Sequence, residues 1–199
     1  MHDLVIRGGT IVDGSGAAPF EDADRAHSRR QRPGLRMTYP PPDFEQKICS
    51  PAALAERCTS LARPLVFTNG CFDILHRGHA TYLAQARALG ASLVVALNTD
   101  ASVRRLGKGN DRPLNMLDDR LAVIAALEAV DLVTWFDEDT PLQRILECRP
   151  EVLVKGGDWT PERIVGAAEV LGRGGEVHSI PFAHARSTTS LVERIRAGR

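Results

Sequence analysis

The sequence predicts an α/β fold, a doubly wound parallel sheet of five strands with helices on both faces. Three observations predict it. Five short apolar runs, at 64–69, 92–98, 131–136, 151–155 and 176–180, alternate with stretches of helical pattern, the rhythm of a parallel sheet. The run at 92–98, SLVVALN, is apolar almost throughout, as a strand covered on both faces should be. Three polar turns, Thr68-Asn69, Asn98-Thr99-Asp100 and Lys155-Gly156-Gly157-Asp158, lie at or just after the ends of such runs, where doubly wound sheets bind their ligands. The chain has no G-x-G-x-x-G, which disfavours a dinucleotide-binding domain.

Residues 1–41 stand apart. MHDLVIRGGTIVDG reads as a hairpin, with 4–6 and 10–12 flanking Gly8-Gly9. It resembles the opening strands of amidohydrolases, but their metal-binding histidine motif does not follow. Residues 21–36 are charged and poor in large apolar side chains, and Tyr39-Pro40-Pro41-Pro42 is extended and linker-like. Residues 1–41 are therefore expected to be an appendage and linker, prone to disorder, ahead of a working domain at 42–199. A hairpin packed on that domain is the alternative, though isolated hairpins are marginal.

The elements of the domain follow in order. Ser50 caps a helix that opens on Pro51 and runs to about 61. A strand at 64–69 leads to a helix at 78–89, which stops at Gly90. The strand at 92–98 is followed by a short helix at 100–106, which stops at Gly107, and by a loop to 115. Helices at 118–129, 140–148, 161–171 and 188–196 alternate with the remaining strands.

With 199 residues, the chain is long enough for one well-buried domain plus extensions. Lysine plus arginine balances aspartate plus glutamate, 25 against 25. No overall basic field therefore points to nucleic acid or an anionic membrane, and a small-molecule partner fits better. The apolar runs are too short to span a bilayer and no signal-length stretch opens the chain, so the expected location is the cytoplasm. Cys49, Cys58, Cys71 and Cys148 are widely spaced, without a C-x-x-C pair, and indicate neither a disulfide framework nor a zinc site.

The candidate site is the stretch 66–79, VFTNGCFDILHRGH. If His76, Gly78 and His79 occupy the first turn of a helix, the two imidazoles, three residues apart, share a face. Beside them are backbone N–H groups without intrahelical acceptors and the positive end of the helix dipole, a favourable place for a polyphosphate. Gly78 lets an anion approach the backbone, and the turn 69–73 can present N–H groups as a nest. The bland alternative is one core histidine and one capping histidine. Cys71 invites a covalent role, but phosphoryl displacement needs no thiolate and no partner base is near in sequence.

Gly70-Cys71-Phe72-Asp73-Ile74-Leu75-His76-Arg77-Gly78-His79 resembles the G-x-F-D-x-x-H-x-G-H signature of the cytidylyltransferase branch of the HxGH nucleotidyltransferases. Over about 42–196 the resemblance is closer still to the family of D-glycero-β-D-manno-heptose 1-phosphate adenylyltransferases. It implies the Rossmann-like HxGH fold and conversion of heptose 1-phosphate and ATP to ADP-heptose and pyrophosphate, for lipopolysaccharide inner-core biosynthesis. It also implies catalytic roles for His76, His79 and Lys108, which the family places in a flexible loop; relatives read leucine, lysine, glycine where this chain has Leu106-Gly107-Lys108-Gly109. Nucleotide contacts are expected from Thr68, Asn69, Gly70, Cys71, Phe72, Gly78, Asn98, Arg120, Lys155, Ser187, Thr188 and Thr189. Substrate contacts are expected from Asp73, Asp100, Arg112 and Asp158, with no protein ligands to a metal.

Some residues carry two readings. Asp73 either contacts substrate or fixes its loop through backbone hydrogen bonds. Arg104, Arg105, Lys108 and Arg112 read as a solvated face or a ligand-facing cluster, and by resemblance it is Lys108 that reaches the phosphates. Arg120 either faces the triphosphate or pairs with Asp118 and Asp119, whose carboxylates suit a helix start. The run Arg186-Ser187-Thr188-Thr189 is a helix cap that, by resemblance, binds the β- and γ-phosphates.

A sugar phosphate has a second pKa of about 6 and is mostly dianionic at pH 7, so no general base is needed to make the nucleophile. Catalysis is then positioning and charge stabilisation, with Mg²⁺ held mainly by the ATP phosphates. The expected partners are ATP, a sugar 1-phosphate, a separate sugar kinase upstream and a second copy in a homodimer. The alternatives are a cytidylyltransferase acting on glycerol or ethanolamine phosphate, and a nucleotide-binding regulatory module without turnover. A class I aminoacyl-tRNA synthetase is disfavoured by length.

Overall fold

The computed structural model describes residues 10–11, 20–21, 40–107, 112–157, 159–181 and 188–198. The chain divides into two compact units, Met1–Pro40 and Pro41–Arg199. In the first, β1 (Thr10–Ile11) pairs antiparallel with β2 (Phe20–Glu21). The strand expected at 10–12 thus takes a partner further along the chain; the other arm expected for its hairpin, 4–6, lies outside the described residues.

The second unit is a five-stranded parallel sheet of β3 (Leu65–Gly70), β4 (Ser92–Asn98), β5 (Leu132–Phe136), β6 (Val152–Gly156) and β7 (Glu176–Ile180). Its order is β5-β4-β3-β6-β7. The chain steps outward from β3 to β5, then returns to the other side of β3 to lay down β6 and β7. That reversal puts the topological switch point between β3 and β6, the place where doubly wound sheets open a ligand crevice.

The sheet separates two cores, and strand alternation sorts the side chains between them. Leu65, Phe67, Val94, Ala96 and Leu153 face α1 (Leu54–Thr59), α5 (Leu142–Cys148) and α6 (Ala167–Leu171). Val66, Val95, Leu97, Val152 and Val154 face α2 (Arg77–Arg87) and α4 (Leu117–Ala125). All seven residues of β4 are buried, as the apolar run at 92–98 predicts. The remaining helices are α3 (Asp100–Arg105) and α7 (Thr188–Arg196).

Three differences from the sequence reading have local causes. The helix expected at 161–171 is a 3₁₀ turn (Pro161–Arg163) followed by α6. Gly166 breaks it with φ of 87°, and a Cβ there would lie 2.7 Å from Ile145 Cδ1. The helix expected at 118–129 ends at Ala125, where turns closed by Leu127 N–H to Ile124 O and Val130 N–H to Leu127 O lead into β5. Gly90 is not a left-handed cap; a side chain there would put Cβ 2.5 Å from the Pro64 carbonyl oxygen and 2.7 Å from Val66 Cγ2. Close approach to β3, not helix termination, requires the glycine.

Candidate active site

β3 and β6 part company at their carboxyl ends. Only Val66↔Val152 and Phe67↔Leu153 pair across them, while β3 stays paired with β4 to Gly70 and β6 with β7 to Gly156. The fork opens into a cleft of about 810 Å³ whose walls include Asn69, Gly70, His76, His79, Asn98 and Lys155.

His76 is the N-cap of α2, in extended conformation at φ −144°, so it precedes the first turn rather than lying in it. Its carbonyl accepts the N–H groups of His79 at 2.9 Å and Ala80 at 3.3 Å. The two imidazoles still share a face: they stack with centroids 3.8 Å apart and planes 15° from parallel. Phe72 sets its ring edge-on to His79 at 5.2 Å. It does so from a left-handed backbone, φ 46°, a costly conformation for an aromatic residue and one concentrated at functional sites. The Phe72 ring fills the space a side chain at Gly70 would need, where a Cβ would lie 2.9 Å away. Phe72 is itself buried, so it acts as a shelf under His79 more than as an open contact surface. Gly78 is buried within the first turn of α2.

Burial, followed by the neighbouring His76, lowers the His79 pKa to about 4, against a hydrogen bond with the Ile74 backbone that raises it. At pH 7 His79 is therefore neutral, a hydrogen-bond donor and not a cation. Lys155 brings a cation into the fork, its Nζ donating to Asn69 Oδ1 at 3.0 Å. Thr68 lies beneath the cleft, fully buried, with its hydroxyl 2.5 Å from that of Tyr82. Its side chain is thus placed for packing and not for contact with nucleotide.

The arginines expected to reach ligand are largely committed to protein. Arg120 is 1% exposed and spans four segments. Nε donates to Asn115 O at 3.0 Å, one terminal nitrogen to Cys71 O at 2.7 Å, and the other to Asn98 O at 2.9 Å and Asp100 Oδ1 at 2.7 Å. It faces neither an open triphosphate site nor Asp118 and Asp119; it bolts the ends of β3 and β4 together. Asp100 is correspondingly an Arg120 partner. Asp73 Oδ1 accepts the N–H groups of Leu114 at 2.8 Å and Asn115 at 2.9 Å, and Oδ2 pairs with Arg112 Nε at 2.5 Å. Of its two readings, loop fixing is the one its hydrogen bonds express. Arg105 pairs with Asp139 and Asp137.

Asn98 donates to Ser102 Oγ at 3.0 Å and accepts from Cys71 Sγ at 3.7 Å, and Cys71 and Asn98 both border the cleft. Thr188, at the start of α7, also lines it and donates to Ile74 O at 3.5 Å. Lys108, Asp158 and Ser187, with the side chain of Thr189, lie outside the described residues.

The cleft wall also contains Trp159, next to the Lys155–Asp158 turn, and Tyr82, Phe136, Arg163, Ile164 and Val165, which sequence did not assign to the site. A signal existed for Tyr82, which follows His76 and His79 at the same spacing of three, and for Trp159, a half-exposed tryptophan in a glycine-rich turn after a strand. Among the described residues, no three His, Cys, Asp or Glu side chains are placed to hold a metal ion.

The cytidylyltransferase-like family matches residues 67–194 of the chain. The D-beta-D-heptose 1-phosphate adenylyltransferase of Bordetella bronchiseptica is 58% identical over 157 residues, 78% of this chain and 97% of that protein. The bifunctional protein HldE of Geotalea uraniireducens is 52% identical over 160 residues, 79% of this chain and 32% of that protein, so the chain spans about a third of this longer relative. Among solved structures, the lipopolysaccharide core biosynthesis protein from Thermoplasma volcanium is similar at a TM-score of 0.50 and 29% identity, over 61% of this chain and 98% of that one. The histidine pair at the switch point of a parallel sheet lies inside the matched span, and the chain belongs to the cytidylyltransferase-like family.

Proposed function

We propose that the chain transfers the adenylyl group of ATP to D-glycero-β-D-manno-heptose 1-phosphate, giving ADP-heptose and pyrophosphate for lipopolysaccharide inner-core synthesis. The observation that carries this reading is 58% identity to a heptose 1-phosphate adenylyltransferase over 97% of its length. The stacked histidine pair beside the free amides of α2 supports it.

An anionic oxygen of the sugar phosphate attacks the α-phosphorus, and the bond from that phosphorus to the oxygen bridging it to the β-phosphorus breaks, releasing pyrophosphate. The attacking group brings its own charge, so the site supplies donors and cations, and no base. His76, the neutral His79, Lys155 and the start of α7 suit charge developing on the α- and β-phosphates. Lys108, Ser187 and Thr189 join them in our proposal by family resemblance. Trp159, Ile164 and Val165 offer the apolar wall that an adenine prefers. The Asp73 and Asp100 carboxylates are taken up by arginines, so a Mg²⁺ would be held mainly by the ATP phosphates, where it would offset their charge. We place the enzyme in the cytoplasm as a homodimer, fed by a sugar kinase, with 42–199 as its working domain. No helix among the described residues is long and apolar enough to cross a membrane.

Pyrophosphate release tests the reading, with ATP and CTP each offered heptose 1-phosphate, glycerol phosphate and ethanolamine phosphate. Turnover is expected with ATP and the heptose phosphate. Preference for CTP, or nucleotide binding without release in any combination, would overturn it.

A further inference from the structure

The fork between β3 and β6 is bridged by side chains where a sheet would use its backbone. Extending the register Val66↔Val152 and Phe67↔Leu153 would oppose Thr68 to Val154 and Asn69 to Lys155. Neither pair forms. Instead the Tyr82 hydroxyl donates to Val154 O at 3.4 Å and lies 2.5 Å from Thr68 Oγ1. One residue further out, Lys155 Nζ donates to Asn69 Oδ1 at 3.0 Å. Two lost rungs of the ladder are thus replaced by two side-chain rungs, entering from opposite faces: Tyr82 from the α2 core, Lys155 and Asn69 from the other side.

From these contacts we infer that Tyr82 is a positioning residue, whose hydroxyl sets the width of the fork and thereby the place of Lys155 in the cleft. Tyr82 is 4% exposed, and burial pushes its phenol up to about 12, so the hydroxyl keeps its proton across the working range. On β6 it bonds the backbone of Val154 and of Gly156, the residues on either side of Lys155, so any change in fork width reaches the ammonium group through a single peptide unit. His76, His79 and Tyr82 recur every three residues and all border the cleft. One helix face therefore presents the phosphate-facing imidazoles and also gauges the distance to the strand opposite them. The inference rests on the adenylyl-transfer reading for its effect on rate, and on geometry alone for its effect on Lys155.

The test uses the full chain with Tyr82→Phe, which keeps the ring and removes the hydroxyl. Because misplacement by about 1 Å can cost about a hundredfold, kcat for pyrophosphate release is expected to fall about 10- to 100-fold, with KM for ATP within about threefold. If Tyr82 acts through Lys155, Tyr82→Phe in a Lys155→Met background should lower kcat less than about threefold further, the non-additivity of coupled residues. Thr68→Val should reproduce the Tyr82→Phe loss, and Thr68→Ser should restore it; this pair also serves if Tyr82→Phe folds poorly. The Lys155 Nζ resonance, identified by its loss in Lys155→Met, should shift in Tyr82→Phe without nucleotide present. Multiplying losses in the double variant, or an unmoved Nζ resonance, would overturn the inference. A parent chain that binds ATP but never releases pyrophosphate would instead sink the functional reading, and the resonance would still decide the role of Tyr82.

Discussion

Arg120 separates a structural bolt from a phosphate ligand. Replacing it with methionine fills part of the volume and removes every donor. Cys71 O, Asn98 O and Asn115 O then lose a charged donor, and Asp100 keeps a partly buried carboxylate without its cation. Each charge-assisted bond is worth about 1.5–3 kcal/mol, but relief from burying the guanidinium offsets much of their total. One-sided removal of a buried ion-pair partner costs about 3–5 kcal/mol. At about 2–4 °C per kcal/mol for a chain of this size, Tm should drop by about 6–20 °C. Lysine in place of Arg120 can keep the Asp100 pair but cannot reach three carbonyls in three directions, so it should recover only part of the loss. Thermal unfolding followed by circular dichroism measures both variants, with ATP affinity determined below the transition. A Tm within about 2 °C of the parent, together with a large loss of ATP affinity, would refute the bolt and restore the triphosphate reading.

Further outcomes concern His79, Gly90 and the N-terminal residues. His79→Ala should lower kcat about 10²–10³-fold, the range for one lost transition-state donor, with a much smaller change in ATP affinity; equal losses in both would contradict a transition-state role. The His79 ring should titrate near pH 4 by NMR in the free chain and shift upward when ATP binds, because phosphate charge favours the imidazolium. The unfolded histidine takes its proton near 6.5 while the folded one resists to about 4. His79 therefore makes stability fall as pH drops through that window, and His79→Gln should flatten the slope; an unchanged slope would deny the shift. Gly90→Ala should cost about 1–3 kcal/mol of stability by overpacking against Pro64 and Val66, visible as a lower Tm, and an unchanged Tm would show that β3 yields freely. Starting the chain at Met37 should preserve folding and turnover; loss of either would make residues 1–36 part of the working enzyme.

The strands were legible because burial on both faces writes itself into contiguous residues. The run at 92–98 is β4 to the residue, and the histidine turn is legible because cap, glycine and imidazoles all sit within His76–His79. The breaks were harder. Gly166 looks like any tolerable glycine inside 161–171, and its left-handed backbone makes sense only with Ile145 packed against it. Gly90 reads in sequence as a helix stop, a local role, whereas the Pro64 carbonyl oxygen, 2.5 Å from where its Cβ would lie, explains it. For Arg120 the sequence offers the triphosphate or the adjoining Asp118 and Asp119, whereas its partners are Asn115, Cys71, Asn98 and Asp100, brought together only by the fold.

The chain alone determined the alternation of strand and helix, the apolar strands and the amide-rich turn carrying His76 and His79, since each depends on residues within a few positions of one another. The order of the strands decided the rest. By setting β6 beside β3, it opened the fork, brought Lys155 to Asn69, buried Arg120 among carbonyls and stacked the histidines in a dry enough place to keep His79 neutral. Desolvation and pairing of charge depend on distance through space, and that distance exists only once the sheet has closed.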